Sequence, residues 1–357
     1  MKPRTINDVL RALAKPKVEQ LATPRYHIDC DRAAHGFALA VQSMKDHTSD
    51  EGWQLMLGLE AAGYRLYGAH LDHGQTDVRQ ILQREQSATS VVVQDKKEWC
   101  NETRAFRDRA ARFRRIERLT ERSDLFRMTV LRDAHFNPAF HREAGLEMSC
   151  HAWVVPYAPR VVSHLAPYTR PQHLIRSYHS IDPDLVPDYC TYPERRGALL
   201  SGAMSAKVYP LREKIRRCRA KLPKIDHLAH PGYHRKGTNT PEYLKTLSRY
   251  KVAVCTSSIY GYALRKIVEA TACGCVVLTD LPTDEVLPVI DGNLVRVHPQ
   301  IAMADLAELL KSLYRDYDSC KQLDYAERCM GWYAYQRIGQ RLADDIEELR
   351  LNYGDSK

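Results

Sequence analysis

The sequence predicts an α/β protein of two parallel-sheet halves, and three observations predict it. The chain has 357 residues, more than one hydrophobic core normally serves, so two domains are expected. Short apolar runs of strand character alternate with helix-period segments almost end to end. That alternation implies strands paired in parallel, with helices on both sheet faces. The rhythm breaks at residues 180–196, where Pro183, Pro187 and Pro193 crowd together, and the domain boundary is expected there.

Residues 1–36 form a basic extension carrying Lys2, Arg4, Arg11, Lys15, Lys17 and Arg25. Helical spacing over 6–21 is interrupted at Lys15-Pro16, where proline kinks or ends a helix. The first domain, 37–190, opens with a strand at 37–44 (FALAVQSM) and a helix at 52–62 stopped by Gly63. A strand at 65–71, a helix at 76–86 and a strand at 89–94 follow. An arginine-rich helix over 105–122 and strands at 126–132, 151–155 and 173–178 complete that half. The second domain, 195–330, begins with strands at 198–201 and 225–228. A helix at 241–248 follows, with Thr240 as its cap and Pro241 at its first position, where proline costs nothing. A strand at 252–255, a helix at 264–273 ending on Gly274, strands at 275–279 and 294–297, and a helix at 302–317 close it. A polar helical tail, 331–357, is expected to pack back toward the first domain.

The balance of 53 Lys+Arg against 44 Asp+Glu gives +9, which favours polyanionic partners or anionic small molecules. Mean hydropathy is −0.47, and no stretch approaches the roughly 18 apolar residues of a membrane span. The N-terminus lacks an apolar core or a small-residue cleavage site. A soluble, cytoplasmic monomer is the expectation. Ten cysteines occur without a CxxC pair, so reduced, buried thiols are expected rather than a disulfide framework. Neither GxGxxG nor a Walker sequence occurs, which argues against dinucleotide oxidoreductases and P-loop NTPases. No metal is expected: His70-Leu71-Asp72-His73 lacks HExxH spacing and further ligands, and Asp182-Pro183-Asp184 reads as a turn.

Residues 251–280 (KVAVCTSSIYGYALRKIVEATACGCVVLTD) carry the most chemistry. They form one βαβ unit whose first strand ends in Thr256-Ser257-Ser258, with Gly261 before the helix. Backbone amides at a helix start beside small residues suit a phosphate. Arg265 and Lys266 oppose the helix dipole in the first turn, which is sensible if an anion sits there. Glu269, one turn on, is placed to accept hydrogen bonds from ribose hydroxyls.

The run from Arg265 to Val277, RKIVEATACGCVV, resembles the nucleotide-sugar site of GT-B glycosyltransferases. The resemblance implies two Rossmann-like domains facing a cleft, a nucleoside-diphosphate sugar (UDP-sugar first) as co-substrate and no other cofactor. It makes Glu269 a ribose ligand. Many retaining members carry a second Glu eight residues earlier; Gly261 stands there, as in the spore-maturation-type branch. Ala198-Leu199-Leu200-Ser201-Gly202 with Tyr209-Pro210-Leu211-Arg212 resembles that branch's first strand, loop and helix start. Ser201, Gly202, Arg212, Ser257, Ser258, Gly261 and Lys266 become donor candidates, with Arg212 neutralising the diphosphate. Tyr233, in His230-Pro231-Gly232-Tyr233, is a candidate to stack on the base, and Gly52 matches a glycine loop near the sugar. Asp133 and His135, beyond a strand end, and Asp95, at another, are the alternatives for a catalytic base.

Residues 104–122 hold eight arginines and three acids. Phe106, Ala110, Phe113, Ile116 and Leu119 form a buried stripe, leaving Arg107, Arg112, Arg114, Arg115 and Arg118 for phosphate contacts. With the basic extension they point to double-stranded DNA, whose hydroxymethylated bases are the acceptor that joins this fold to phage DNA modification. A glycan, protein or small-molecule acceptor competes with that reading. So does a non-catalytic nucleic-acid-binding protein on a degenerate version of the fold.

Overall fold

The structure, a computed structural model, describes residues 36–40, 51–68, 71, 74–94, 113–131, 149–158, 174–188, 194–230 and 239–354. The chain forms two compact units. The N-terminal unit holds residues 28–180 and recruits 335–357 from the far end of the chain; the C-terminal unit holds 181–232 and 239–334.

The N-terminal unit is built on six strands: β1 (Gly36–Leu39), β2 (Arg65–Tyr67), β3 (Ser90–Val93), β4 (Phe126–Val130), β5 (Ala152–Val155) and β6 (Leu174–Arg176). They pair in parallel in the order β2-β1-β3-β4-β5-β6. Strands such as β3 (SVVV) are buried at every position, as a sheet covered on both faces requires. Helix α1 (Glu51–Ala61) follows β1, and α2 (Val78–Arg84) follows β2. Asp77 starts α2 by accepting a hydrogen bond from the Arg79 amide at 3.1 Å. Phe37, Leu39, Tyr67, Ile81, Val91, Phe113, Ile116 and Leu119 close the core beneath them.

The expected arginine-rich helix does not form over its described part. Arg114 instead makes a parallel bridge with Asp77, donating to the Thr76 carbonyl and accepting from the Val78 amide. Arg115 turns into the left-handed region at φ 58, and a 3-10 helix runs only over Ile116–Glu121. Of the expected stripe, Phe113, Ile116 and Leu119 are buried, recurring every three residues as a 3-10 turn permits, while Phe106 and Ala110 lie outside the described residues.

The C-terminal unit carries five parallel strands: β7 (Arg196–Ser201), β8 (Ile225–Leu228), β9 (Tyr250–Val254), β10 (Val276–Thr279) and β11 (Leu294–Arg296). Their order is β11-β10-β9-β7-β8. Helices α3 (Pro210–Arg217), α4 (Thr240–Leu247), α5 (Arg265–Ala272) and α6 (Met303–Arg315) alternate with the strands. Asn239, not Thr240, holds the cap position of α4. Gly274, at φ 73, turns the chain from α5 into β10. Cys255, Cys273, Cys275 and Cys329 are free and buried.

The tail helix expected after residue 331 is α8 (Tyr335–Gly354), and a helix the sequence reading did not give, α7 (Ser319–Tyr333), precedes it. Asp318 caps α7 through bonds from the Cys320 and Lys321 amides, and extended Ala334 (φ −51, ψ 135) separates the pair. Helix α8 lies along α1, where Gly58 and Gly339 meet backbone to backbone. Among the described residues no helix is long and apolar enough to cross a membrane.

Both sheets reverse their winding once. In the C-terminal unit the chain leaves β7 for β8 on one side and returns to β9 on the other. In the N-terminal unit it leaves β1 for β2 and returns to β3. Parallel sheets bind ligands outside the carboxyl ends of the strands at such reversals.

Candidate functional site

Strand β7 ends at Ser201, and the next residue, Gly202, has φ +103, open to glycine but strained for any L side chain. Gly202 is also the point that two cations approach. A β-carbon there would collide with Lys266 Nζ and lie 2.8 Å from Arg212 Nη1.

Arg212 is placed by α3, which starts at Pro210 and turns Leu211, Arg212 and Ile215 inward. Its side chain is 1% exposed. Nε donates to Thr256 Oγ1 at 3.0 Å, Nη2 to the Thr256 carbonyl at 2.8 Å, and Nη1 to the Ala203 carbonyl at 3.0 Å. The guanidinium stacks 4.0 Å over the Tyr209 ring. It thus ties the end of β7 to the end of β9, across the reversal. Each of those acceptors is neutral, and burial pulls the group below its ordinary pKa.

Lys266, in the first turn of α5, reaches the same place. Its Nζ lies 3.4 Å from Ser201 Oγ and 5.4 Å from the Tyr243 ring centre, while Ser201 Oγ and Tyr243 Oη are hydrogen-bonded at 2.8 Å. Burial, and then the Arg212 charge, pull the ammonium down to about 8. The neighbouring acids are engaged elsewhere. Asp280 accepts from the Ser257 amide at 2.5 Å, with burial raising its pKa. Glu269, 6% exposed, pairs with Arg265 across 3.2 Å. Two partly desolvated cations therefore converge on bare backbone, an arrangement suited to a doubly charged phosphate group.

Four residues singled out by sequence, Ser201, Gly202, Arg212 and Lys266, meet at this point. Ser257 and Ser258 continue from the end of β9 and are buried at 5% exposure, bonded within their own loop through Ser258 O and Tyr260 N. Gly261 closes that loop on Ser258 O at φ +65, a backbone reason for glycine where a second Glu was sought. Glu269 lies one turn after Lys266, on the buried side of α5. Gly52 is buried in the first turn of α1, in the other unit. Arg114, Arg115 and Arg118 are also in that unit, with Arg118 paired to Glu121 at 3.0 Å and Arg114 3.9 Å from Asp77. Asp95, Asp133, His135, Tyr233, Arg107 and Arg112 lie outside the described residues.

Sequence reasoning missed Thr256, Tyr209 and Tyr243 as the supports of this site. The proline after Tyr209 marked a helix start, but nothing local announced that the ring would shelter Arg212. Tyr243 sits on α4, outside the βαβ unit, and only the fold brings it to Ser201.

Two parallel-sheet Rossmann-like units in one chain are the GT-B architecture, and solved structures share it. Sucrose-phosphate synthase from Thermosynechococcus elongatus matches with a TM-score of 0.58 at 13% identity, covering 88% of this chain and 99% of its own. HepE of Anabaena, solved in complex with UDP and glucose, matches at 0.53 and 12% identity, covering 88% of this chain and 100% of its own. AviGT4, a glycosyltransferase involved in avilamycin A biosynthesis, matches at 0.51 and 12%, covering 89% and 98%. No protein-family model and no curated protein matches the sequence.

Proposed function

We propose that the chain is a glycosyltransferase that holds a nucleoside-diphosphate sugar, a UDP-sugar first, at the carboxyl edge of the C-terminal sheet. The observation that carries this reading is the convergence of Arg212 and Lys266 on Gly202. It is supported by the shared architecture and by the UDP complex of HepE. In the reaction the bond between the sugar and the diphosphate breaks, and negative charge grows on the leaving oxygen. Arg212 and Lys266, fixed beforehand, stabilise that charge without reorganising, so activity is expected without a divalent cation. Glu269 holds the ribose after parting from Arg265. The acceptor hydroxyl loses its proton to a base, for which Asp95, Asp133 and His135 are the candidates.

For the acceptor we propose a hydroxymethyl group on a base of double-stranded DNA. The net charge of +9 and the basic segment 104–122 support it. Acids temper that segment within its described part, where Arg118 pairs with Glu121 and Arg122 with Asp124, so the DNA reading leans on overall charge. Glycan, protein and small-molecule acceptors share the same donor chemistry, and a non-catalytic nucleic-acid-binding protein is the competing class. One experiment separates them: incubation with a panel of UDP-sugars plus hydroxymethylated duplex DNA, read by mass spectrometry of the bases and by released UDP. Sugar on the base supports the whole reading. UDP release with untouched DNA removes the DNA acceptor and keeps the transferase. No release with any donor, in EDTA or in magnesium, overturns the enzyme.

A further inference from the structure

The amino-terminal edge of the C-terminal sheet holds a second concentration of positive charge, at the opposite end of the strands from Gly202. A surface cavity of about 580 Å³ opens there, lined by Arg195, Arg196, Lys224, Lys251 and Lys311, with Asp226 the single acid of its wall among the described residues. Two of these cations are held by neutral groups. Arg195 donates to the carbonyls of Cys273 and Gly274 at 2.7 and 3.2 Å, and Lys251 Nζ donates to the Tyr314 carbonyl at 2.8 Å. Lys311 makes one solvent-exposed pair with Glu308, at 2.7 Å, the kind worth little in water. Asp226 already accepts from Tyr250 Oη at 2.8 Å.

The backbone is shaped for this display. Lys224 takes a left-handed φ of 43 just before β8. Gly197, at the start of β7, packs so closely under it that a β-carbon would collide with the Lys224 carbonyl. Tyr314 fixes the same corner by donating to the Pro223 carbonyl at 2.9 Å. Lys224 and Arg196 both border the cavity, where a bound anion would ease the repulsion among its cations.

We propose that this cavity is a second anion site, taking a small, multiply phosphorylated molecule. Five cations border the cavity against Asp226 in its wall and Glu308 on Lys311, and that surplus sets the charge of the ligand. The volume falls within the range of small-molecule pockets, and the faces of Tyr314 and Pro223 offer an apolar wall for an organic portion. A concave site of this size suits a small molecule better than a duplex, whose phosphates demand an extended stripe. The six residues of β7 separate it from Gly202 by about 17 Å at the usual strand rise, so the two sites fill independently.

Tripolyphosphate is the probe, titrated at low salt into the full chain saturated with UDP. Binding is expected with UDP present, weakening by about tenfold or more in the variant R196Q/K224N/K311Q, which removes three charges. Asparagine is chosen at 224 because it tolerates left-handed backbone. UDP affinity should not change in that variant. Binding that vanishes once UDP is present, or that the triple variant retains in full, overturns the proposal. A second reading guards against a misfolded variant. In the parent chain, tripolyphosphate should shield Lys224 and Lys311 from an amine-reactive reagent, mapped by mass spectrometry. Unchanged labelling there, or equal shielding of lysines across the surface, also overturns it. Shielding of Lys266 by UDP reports the donor edge separately, so failure of that reading and of this one are distinguishable.

Discussion

The two sheets of this protein reverse their winding in the same way, yet the described residues at their reversal points differ in chemistry. In the N-terminal unit, β1 ends in Leu39-Ala40 and β3 in Val93-Gln94, all buried, and Gln94 is the one polar side chain among these described residues. In the C-terminal unit the corresponding strands end in Ser201-Gly202 and Cys255-Thr256-Ser257, and Arg212 and Lys266 fill the gap. Parallel-sheet topology therefore provides two equivalent places, and among the described residues only the C-terminal one gathers cations, which is why the proposed diphosphate site is put there. The architecture locates the chemistry but does not supply it.

The largest test of that contrast is Gly202→Val. It adds a branched side chain at φ +103, where both cations already stand, and should abolish measurable UDP binding, while Gln94→Ala, at the end of β3 beside the other reversal, should leave UDP affinity unchanged. Equal effects would erase the comparison. Next comes Arg212→Ala, which empties a buried position and strands the Thr256 and Ala203 acceptors. It should cost about 2–4 kcal/mol of stability in denaturant unfolding, and UDP affinity should fall with it. An unfolding midpoint matching the parent's would show that the guanidinium does not tie β7 to β9.

Lys266→Met sharpens the comparison through pH. The unliganded chain holds this ammonium at about 8, and a bound diphosphate favours its charged form. UDP affinity should then be fully present below pH 8 and decline above it, toward tenfold per unit until the bound-state pKa is reached. The diphosphate stays ionised in that range, and the uracil imide, which begins to lose its proton at the alkaline end, is matched by a uridine control. In Lys266→Met the affinity should be lower at pH 7 by about 1.5–3 kcal/mol, and its preference over uridine should be flat between pH 7 and 9.5. The smallest expected effect is Glu269→Gln, which keeps the shape and removes a charge. A loss of about 1–2 kcal/mol toward UDP, with none toward pyrophosphate, would mark a ribose contact. Equal losses toward both would place Glu269 in support of Arg265 instead.

Much of this was legible in the sequence, for identifiable reasons. Continuous apolar runs such as Val91-Val92-Val93 and Ala198-Leu199-Leu200 mark buried parallel strands without ambiguity, and the βαβ unit from Lys251 to Asp280 announces its loop by small residues. The arginine-rich segment misled because a three-residue stripe fits two kinds of helix, and because Arg114 pairs its backbone with Asp77, a partner far away in sequence. Arg212 shares its helix with the basic residues Lys214, Arg216 and Arg217, yet it alone is drawn into the site. Its burial depends on Tyr209 and on Thr256, 44 residues on, which no local pattern reveals. The break between α7 and α8 at Ala334 lacks a proline or glycine to signal it.

The central claim is that Arg212 and Lys266, meeting at Gly202, form a diphosphate site. Calorimetric titration of UDP, against uridine, into the parent chain and into Lys266→Met at pH 7.0 and 9.5 tests it most directly. The account predicts that UDP binds far more tightly than uridine at pH 7.0, that this preference shrinks at pH 9.5, and that the shrinkage disappears in the variant. Equal affinity for UDP and uridine at pH 7.0, or a pH dependence that survives in Lys266→Met, would contradict it.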